Sequence, residues 1–210
     1  MSQRHNNESS TPLDEATVDP DPIKQFRLWF DAAVGFGSRL PESMTLATAT
    51  AAGKPSARVV LLKTVDAEGF VFYTNYRSPK AQELDENPHA ALVFYWVGLD
   101  RQVRVQGRVS RVSAQESDEY FKTRPRESQL GALASPQSEV IEGRQVLEER
   151  LRALERDYRD REVERPAHWG GFRLKPEQIE FWENRPGRLH DRIAYDLQAD
   201  GSWTIARLAP

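Results

Sequence analysis

The chain has 210 residues, of which 39% are hydrophobic and 29% charged, and its net charge at neutral pH is −3. This composition is typical of a soluble globular protein, and the small negative charge excludes bulk attraction to nucleic acid or to an anionic membrane. The absence of cysteine excludes disulfides, thiolate metal sites and a cysteine nucleophile. No apolar run approaches the ~20 residues of a membrane span, and there is no secretory signal pattern. We therefore expect a cytoplasmic protein.

The N-terminal part of the chain is predicted to be a tail followed by a helix. Residues 1–19 are polar, which is typical of a disordered segment, and residues 20–210 are predicted to form a single domain. The Asp-Pro-Asp-Pro sequence at 19–22 fits a helix N-cap and first turn, and Gly35 fits the end of the helix. Helical spacing places five apolar side chains on one face, which we assign to the core: Ile23, Phe26, Trp29, Phe30 and Ala33.

From Met44 onward the hydrophobic pattern changes to the two-residue alternation of β-strands. Short turns containing Gly, Asp or Pro separate the strands, which predicts antiparallel neighbours. Helices are predicted at 78–87, from a capping box at Ser113 and Glu116 to about Phe121, at 130–133 and at 143–158. The expected fold is α+β but mainly β, a closed or nearly closed antiparallel barrel. Strand-like segments occur at 44–49, 56–65, 70–74, 90–96, 101–112, 171–174, 179–183, 193–197 and 203–208, and we expect six or seven strands in the barrel.

Basic side chains lie where several of these elements begin or end. Arg58 and Lys63 are at the two ends of one predicted strand, and their spacing of five would turn them to opposite faces unless a bulge intervenes. Lys80 is at a predicted helix N-terminus, where backbone N–H groups favour an anion. Arg124 and Ser128 belong to a Pro-stiffened turn whose arginines match phosphate geometry. These clusters predict two phosphate sites, and the alternative is that they are ordinary solvated charges.

Residues 185–192 combine three arginines with one of only four histidines, between two predicted strands. Such a turn is either a site built on a rigid scaffold or a solvated loop, and the segment alone leaves both interpretations open. Other chemistries lack their sequence patterns, because there is no P-loop, no dinucleotide-binding glycine motif and no nucleophile elbow. The histidines have no metal-ligand spacing with one another, so no metal site is expected.

A set of short motifs occurs in order along the chain. They are RVVLLK at 58–63, FVFYTN at 70–75, FYW at 94–96, RQVRVQG at 101–107, YFKTRPRESQLGALASPQS at 120–138, HWGGFRL at 168–174, IEFW at 179–182, RLHDR at 188–192 and RLAP at 207–210. With these motifs the chain, from about residue 19 to its end, resembles the pyridoxamine/pyridoxine 5′-phosphate oxidase family. The resemblance implies an FMN-binding antiparallel split β-barrel of six to eight strands with peripheral helices.

The resemblance also implies a homodimer, with each FMN held at the subunit interface by both chains. The FMN-binding positions it implies are Arg58, Val59, Val60, Leu61, Leu62, Lys63, Tyr73, Thr74, Lys80, Gln102, Gln137, Ser138, Trp182 and Arg192. The substrate-binding positions are Lys63, Tyr120, Arg124 and Ser128 around the phosphate, and Arg188, Leu189 and His190 at the ring. Arg188 and His190 are the expected catalytic residues, and which of them moves a proton stays open.

The implied reaction is the FMN-dependent oxidation of pyridoxine or pyridoxamine 5′-phosphate to pyridoxal 5′-phosphate, a step of vitamin B6 biosynthesis and salvage. A hydride would pass from the 4′ carbon to the flavin, and O2 would reoxidise the flavin to give hydrogen peroxide. The amine substrate would also release ammonia. In this chemistry the protein supplies binding, orientation and electrostatics. The alternatives are a related split-barrel oxidase that acts on another ring, such as a phenazine precursor, and a non-catalytic carrier of flavin or pyridoxal phosphate.

The sequence departs from the family pattern in two places. Pro79 stands where family members usually carry Arg or Gln before the lysine, and we hypothesise that Arg77 replaces that phosphate contact. Many members also carry an Arg-x-x-Tyr segment in the tail that folds over bound substrate. Residues 6–19 contain neither arginine nor tyrosine, so closure by those side chains is not expected here.

Overall fold

The computed structural model describes residues 13–210, so the predicted tail up to residue 12 lies outside the described residues. The described helices are α1 (Pro22–Gly35), α2 (Pro79–Glu86), α3 (Ala114–Thr123), α4 (Arg126–Ala134) and α5 (Arg144–Asp157). The described strands are β1 (Ser43–Ala49), β2 (Pro55–Leu61), β3 (Thr64–Asp66), β4 (Gly69–Asn75), β5 (His89–Trp96), β6 (Arg101–Arg111), β7 (Trp169–Glu183), β8 (Asp191–Leu197) and β9 (Trp203–Arg207). Strands dominate, as the hydrophobic alternation predicted.

The predicted helix starts are confirmed where a side chain caps them. Asp21 Oδ1 accepts hydrogen bonds from the backbone N–H groups of Ile23 at 2.8 Å and Lys24 at 3.3 Å, with Pro22 in the first turn. Ser113 Oγ accepts from the N–H of Glu116 at 3.0 Å. Four of the five side chains predicted on the inner face of α1 are buried, and Phe30 is half-buried: Ile23, Phe26, Trp29 and Ala33 form the buried set.

The strands are hydrogen-bonded in the order β2-β1-β5-β6-β7-β4-β3, and β8 pairs with β7 and β9. The chain also divides into two compact units. The first unit comprises the chain up to Pro41, Val93–Val105 and Glu177–Pro210, and the second comprises Glu42–Leu92 and Gln106–Pro176. Strands β5, β6 and β7 therefore contribute residues to both units. The single domain expected over residues 20–210 stays a prediction.

The second unit is built on antiparallel pairs of β1 with β2, β3 with β4 and β4 with the first part of β7. Its core is apolar and includes Phe70, Phe72, Leu92, Phe172 and Leu174. Gly69 closes the β3–β4 turn with φ +126°, and a Cβ there would lie 2.1 Å from the carbonyl oxygen of Leu174, so only glycine fits.

The first unit pairs the last part of β7 with β8, and β8 with β9. Phe181 and Tyr195 are fully buried in it, and the Tyr195 hydroxyl donates to the carbonyl of Asp19 at 2.7 Å. Leu13 is buried as well, and Arg207 pairs with Glu15 at 2.7 Å. The chain immediately before α1 is therefore fixed by contacts within this unit.

Three sequence predictions of element boundaries were wrong. The single strand predicted at 56–65 is two strands, because β2 pairs with β1 whereas β3 pairs with β4. The strands predicted at 171–174 and 179–183 are one strand, β7, which runs through Pro176 because 169–174 pair with β4 and 178–183 with β8. The single turn predicted at 130–133 is the nine-residue helix α4. Each error concerns which partner a strand or turn packs against.

In the part of the chain that the structure describes, no helix is both long enough and apolar enough to cross a membrane. Within the same residues no group of three or more His, Asp or Glu side chains is placed to hold a metal ion.

Candidate functional site

The second unit contains a cleft of about 650 Å³. The strand β2, the end of β4, the start of α2 and the α3–α4 turn contribute its walls. The cleft brings together many of the predicted site residues: Arg58, Val59, Val60, Leu61, Lys63, Tyr73, Thr74, Lys80, Tyr120, Arg124, Ser128 and Gln137. Asn75, Gly131, Ala132, Ser135 and Trp169 complete the lining. The two predicted phosphate clusters, around Lys80 and around Arg124, thus line one cleft.

Lys80 is a buried cation with neutral hydrogen-bond partners. Its Nζ donates to Thr74 Oγ1 at 3.1 Å, Ser78 Oγ at 3.1 Å and Gln137 Oε1 at 3.4 Å, and only 9% of the residue is exposed. Burial lowers the pKa of Lys80, and the nearby charge of Arg58 lowers it further, against a smaller opposite effect of Glu83. The ammonium group is therefore short of negative charge, which is the condition that a bound phosphate would satisfy.

Arg58 is held by an acidic side chain that sequence reasoning did not single out. Its Nη2 lies 3.2 Å from Glu83 Oε2, and its Nη1 donates to the carbonyl of Leu46 at 3.3 Å. Thr48 and Ser56 also bond to this pair. Burial of Glu83 opposes its ionisation, but the hydrogen bonds from Thr48, Ser56 and Arg58 outweigh burial and lower the pKa of Glu83. The pair fixes the Arg58 guanidinium at the cleft wall.

Arg124 is held by aromatic rings. Its Cζ lies 4.5 Å from the ring centroid of Trp169 and 5.4 Å from that of Phe121. Its Nη1 atom is buried and has no hydrogen-bond partner among the residues that the structure describes. Burial lowers the pKa of Arg124, opposed by the Tyr120 side chain. A guanidinium whose buried donor is unused, at the wall of a cleft, is a strong candidate for binding an oxyanion.

The cleft also contains a stack of three aromatic rings. Tyr73 and Tyr120 have centroids 3.9 Å apart, and Trp169 lies 5.3 Å from Tyr73 and 6.2 Å from Tyr120, all nearly parallel. Burial, followed by the charge of Glu116, raises the pKa of Tyr73 to about 12, and burial also raises the pKa of Tyr120. Both hydroxyls are therefore protonated donors at neutral pH. Trp169 was assigned no role from the sequence, although the HWGGFRL motif contains it.

The break between β2 and β3 explains how Arg58 and Lys63 can line one cleft. The N–H of Leu62 donates to the carbonyl of Glu42 at 2.9 Å, whereas the N–H of Lys63 donates to Val71 at 2.9 Å. The alternation of a single strand therefore does not continue through these residues. Leu62 itself is 6% exposed and lies in the core rather than among the lining residues, and Ser138, with φ +71°, does not line the cleft either.

Arg77 does not line the cleft that contains Lys80. It is exposed and lines a neighbouring, more apolar pocket of about 400 Å³ together with His168 and Leu154. Its backbone N–H donates to Asn75 Oδ1 at 2.8 Å, which fixes the turn before α2. This geometry does not favour the hypothesis that Arg77 replaces the missing contact at Pro79.

The remaining predicted site residues belong to the first unit. The turn at residues 186–188 is a short 3₁₀ helix in which Gly187 and Arg188 have φ of +68° and +62°, which leaves Arg188 exposed. Leu189 is 72% exposed. Gln102 lies on β6, and it is half-buried, as are Trp182 on β7 and Arg192 on β8.

The imidazole of His190 is fixed in one tautomer. The backbone N–H of Arg185 donates to His190 Nδ1 at 3.2 Å, and the ring lies 4.6 Å from the ring of Trp182. Because Nδ1 accepts this hydrogen bond, the neutral ring carries its proton on Nε2. Nε2 of His190 is then a hydrogen-bond donor, and all the side-chain nitrogens of Arg188 are donors too.

Two other arginines of the 185–192 turn are already paired. Arg192 Nε lies 2.8 Å from Glu180 Oε1, and this hydrogen bond raises the pKa of Arg192. Arg185 bonds to Glu183 at 2.9 Å and to Asp191 at 2.5 Å, and its side chain is only 25% exposed. These carboxylates hold Arg185 in the turn.

Family models match most of the chain. One described as "Pyridoxamine 5'-phosphate oxidase" matches residues 33–156, and one described as "Pyridoxine 5'-phosphate oxidase C-terminal dimerisation region" matches residues 169–210. Among curated proteins, the pyridoxine/pyridoxamine 5′-phosphate oxidase of Cyanothece sp. is 58% identical over 198 residues, which cover 94% of this chain and 92% of that protein. Pyridoxine/pyridoxamine 5′-phosphate oxidase 1 of Ralstonia nicotianae is 56% identical over 201 residues, which cover 94% of this chain and 93% of that protein.

Two solved structures share the fold. PhzG from Burkholderia lata, in complex with tetrahydrophenazine-1-carboxylic acid, has a TM-score of 0.89 at 28% identity and covers 94% of this chain and 98% of its own. A pyridoxamine 5′-phosphate oxidase-related, FMN-binding protein from Nostoc punctiforme has a TM-score of 0.71 at 17% identity, covering 88% and 97%. The predicted mainly antiparallel split-barrel fold is thereby confirmed, and the chain belongs to the pyridoxamine/pyridoxine 5′-phosphate oxidase family, as its motifs predicted.

Proposed function

We propose that this protein uses FMN and O2 to oxidise pyridoxine 5′-phosphate or pyridoxamine 5′-phosphate to pyridoxal 5′-phosphate, with hydrogen peroxide as the second product. The observation that carries the proposal is the cleft of the second unit, in which Lys80 is buried and Arg124 is half-buried with a buried Nη1 atom. Neither cation forms an ion pair with any carboxylate of the described residues. Two such cations fit two phosphate groups, one on the cofactor and one on the substrate.

The residues around Lys80 fit the phosphate of FMN. Lys80, Thr74 and Gln137 form one hydrogen-bonded group, and Arg58 is fixed at the same cleft by Glu83. Adding an anion would supply the negative charge that the ammonium group lacks, so these residues would hold FMN without a metal. When bound, FMN supplies the electron acceptor of the oxidation and the reactivity toward O2.

The residues around Arg124 fit the phosphate of the substrate. Arg124 has an unused buried donor, and Tyr120, Ser128 and Lys63 line the same cleft with further donors. Binding a phosphate that is remote from the reacting carbon converts binding energy into alignment of that carbon. We therefore expect these four side chains to affect both substrate affinity and turnover.

Arg188 and His190 are proposed to bind the pyridine ring, with Leu189 between them. Both can donate hydrogen bonds to the ring. His190 donates from Nε2, because its Nδ1 already accepts the N–H of Arg185, and Arg188 donates from its guanidinium. Their part in the reaction is therefore to orient the ring through hydrogen bonds, and His190 can give a proton from Nε2. Gln102, Trp182 and Arg192 are proposed to complete the FMN site, as the family motifs imply.

A homodimer belongs to the same proposal. The family model matching residues 169–210 is described as a dimerisation region, and it includes Trp182, Arg188, His190 and Arg192. We propose that each FMN is held at the subunit interface by residues of both chains. A cytoplasmic location, expected from the cysteine-free sequence, is part of this proposal too.

A phenazine-type oxidase is the first rival, since PhzG shares the fold. The Arg124 cluster counts against it, because an unused guanidinium donor at the cleft fits a phosphate that a phenazine precursor lacks. A non-catalytic carrier of flavin or pyridoxal phosphate is the second rival. It would bind the same ligands and leave them unchanged.

The test is a single series of spectra on the purified protein. We expect a flavin absorbance band that bleaches when pyridoxine 5′-phosphate is added without oxygen and returns, with peroxide, when air is admitted. Unphosphorylated pyridoxine is the matched control and should bleach the band far more slowly. A flavin band that does not respond to either phosphorylated substrate would refute the oxidase and favour a carrier. Bleaching by a dihydrophenazine carboxylate alone would favour the first rival.

A further inference from the structure

We propose that Trp169 is a positioning residue for the substrate phosphate, and that it acts by holding the Arg124 guanidinium against its indole face. The proposal rests on the proposed function in taking the ligand to be a pyridine 5′-phosphate. Trp169 is only 7% exposed but lines the same cleft as Arg124 and Tyr120. Its part would be to present the phosphate-binding groups rather than to react.

The first support is the way in which Arg124 is held. Its Cζ lies 4.5 Å from the Trp169 centroid, and the guanidinium makes no ion pair with any carboxylate among residues 13–210. An aromatic face attracts a cation through its quadrupole without using any N–H group. A carboxylate partner would occupy the same donors that a phosphate needs. The indole therefore fixes Arg124 and leaves its N–H donors available for a ligand, as the unpartnered Nη1 shows.

The second support is that the indole itself is fixed. Trp169 is the first residue of β7, and its N–H donates to the carbonyl of Pro166 at 2.9 Å. Its carbonyl accepts from Arg165 Nη1 at 2.6 Å. Phe121 packs edge-on against the ring, with centroids 5.2 Å apart and an interplanar angle of 69°. The backbone that carries the ring is therefore fixed, and Phe121 and Tyr73 pack against the ring itself.

The third support is that the ring of Tyr120 lies parallel to the indole of Trp169. The ring of Tyr120 is tilted only 6° from that of Trp169, and Tyr73 is parallel to both within 16°. Tyr120 and Arg124 are one helical turn apart along the chain, and both are predicted phosphate ligands. The indole thus contacts Arg124 directly, whereas Tyr120 is held mainly by Tyr73, whose ring centroid lies 3.9 Å away.

The test compares Trp169→Leu, which removes the aromatic face, with Trp169→Phe, which keeps a smaller one. The ligand is 4-deoxypyridoxine 5′-phosphate, which has no oxidisable group at the 4′ carbon, and binding to the FMN-loaded protein is followed through the flavin absorbance. For Trp169→Leu we expect the dissociation constant to rise about five- to thirty-fold, as the loss of a desolvated cation–π contact implies, and for Trp169→Phe about two- to threefold. Unphosphorylated 4-deoxypyridoxine should bind all variants alike.

A double-mutant cycle decides whether Trp169 acts through Arg124. In the Arg124→Ala background, Trp169→Leu should have almost no further effect on binding of the phosphorylated ligand. Additive losses, or equal losses for the unphosphorylated ligand or for FMN, would overturn the proposal. If Trp169→Leu does not fold, the same cycle with Trp169→Phe gives the decision. Trp203→Leu, in β9 of the other unit, is the matched control for loss of an indole.

The binding readout separates this proposal from the proposed function. A Trp169-dependent affinity for the phosphorylated ligand, in a protein that oxidises neither natural substrate, would support the positioning role and refute the oxidase. Normal oxidation of the natural substrates, with a ligand affinity that does not change when Trp169 is replaced, would support the oxidase and refute the positioning role.

Discussion

Replacement of Lys80 by methionine should weaken FMN binding and at the same time stabilise the flavin-free protein. The residue is 9% exposed, and within residues 13–210 its ammonium group is bonded only to neutral oxygens of Thr74, Ser78 and Gln137. Methionine has a similar length, fills irregular apolar space and carries no charge. The variant therefore removes the proposed phosphate contact without leaving a large cavity.

The magnitude follows from the kind of hydrogen bond that is lost. A hydrogen bond to a charged group is worth about 1.5–3 kcal/mol, so the dissociation constant of FMN should rise about ten- to 150-fold. When FMN is well above the dissociation constants of both proteins, its stabilisation of the folded state should fall by the same free energy, because a ligand that binds only the folded state stabilises it by RT ln(1 + [L]/Kd).

The pH dependence has the opposite sign to that of a paired lysine. Because burial lowers the pKa of Lys80, the charged form costs stability below the folded-state pKa, and this cost disappears as pH rises toward the unfolded value. The flavin-free wild type should gain stability over that interval, whereas Lys80→Met should lack this gain. Thermal unfolding with and without FMN, across neutral to alkaline pH, measures both effects.

Lys54→Met is the matched control, since Lys54 is exposed in the turn before β2 and does not line the cleft. It should change neither the affinity nor the pH profile. If Lys80→Met bound FMN as tightly as the wild type, the assignment of this cluster to the cofactor phosphate would be refuted.

Three further predictions concern other parts of the molecule. Arg77→Ala should leave FMN affinity within about twofold, the range of an exposed charge, because Arg77 does not line the cleft, and flavin fluorescence on titration measures it. Arg188→Ala and His190→Ala should each lower kcat about tenfold or more through a lost charged hydrogen bond while the protein stays yellow, whereas colourless or unfolded variants would indicate a structural role. Burial opposes ionisation of Asp66, but the hydrogen bond and charge of Arg173 outweigh it and lower the pKa of Asp66. The pair should therefore contribute stability above about pH 4 that is lost as pH falls. In denaturant titrations Asp66→Asn should reduce the loss of unfolding free energy at acid pH, and an unchanged loss would contradict this prediction.

The family motifs predicted much of the candidate site because they are contiguous stretches whose order along the chain is itself informative. Residues 58–61, Tyr73, Lys80 and Arg124 line one cleft in the structure. Leu62, within the same RVVLLK motif, lies in the core instead. A motif therefore predicts which segment of the chain forms the site, whereas the direction of each side chain depends on the strand with which that segment pairs.

Glu83 and Trp169 could not be found from local patterns. Glu83 is an ordinary helix residue until β2 brings Arg58 to within 3.2 Å of it, 25 positions away in the chain. Trp169 reads as an apolar strand residue until Arg124 is placed on its face. Both contacts join distant parts of the chain, and no sequence period records them.

The sequence by itself determined what depends on neighbours a few residues apart. The Asp21 and Ser113 caps, the buried face of α1 and the alternation of the strands all follow from local backbone geometry and side-chain spacing. Tertiary structure alone decided where pairing changes partner, at Leu62 and Lys63, and that β7 continues through Pro176. The physical reason is that hydrophobic periodicity shows which face of a segment is buried, but the hydrogen-bond partner is chosen by strands that lie far away in the chain.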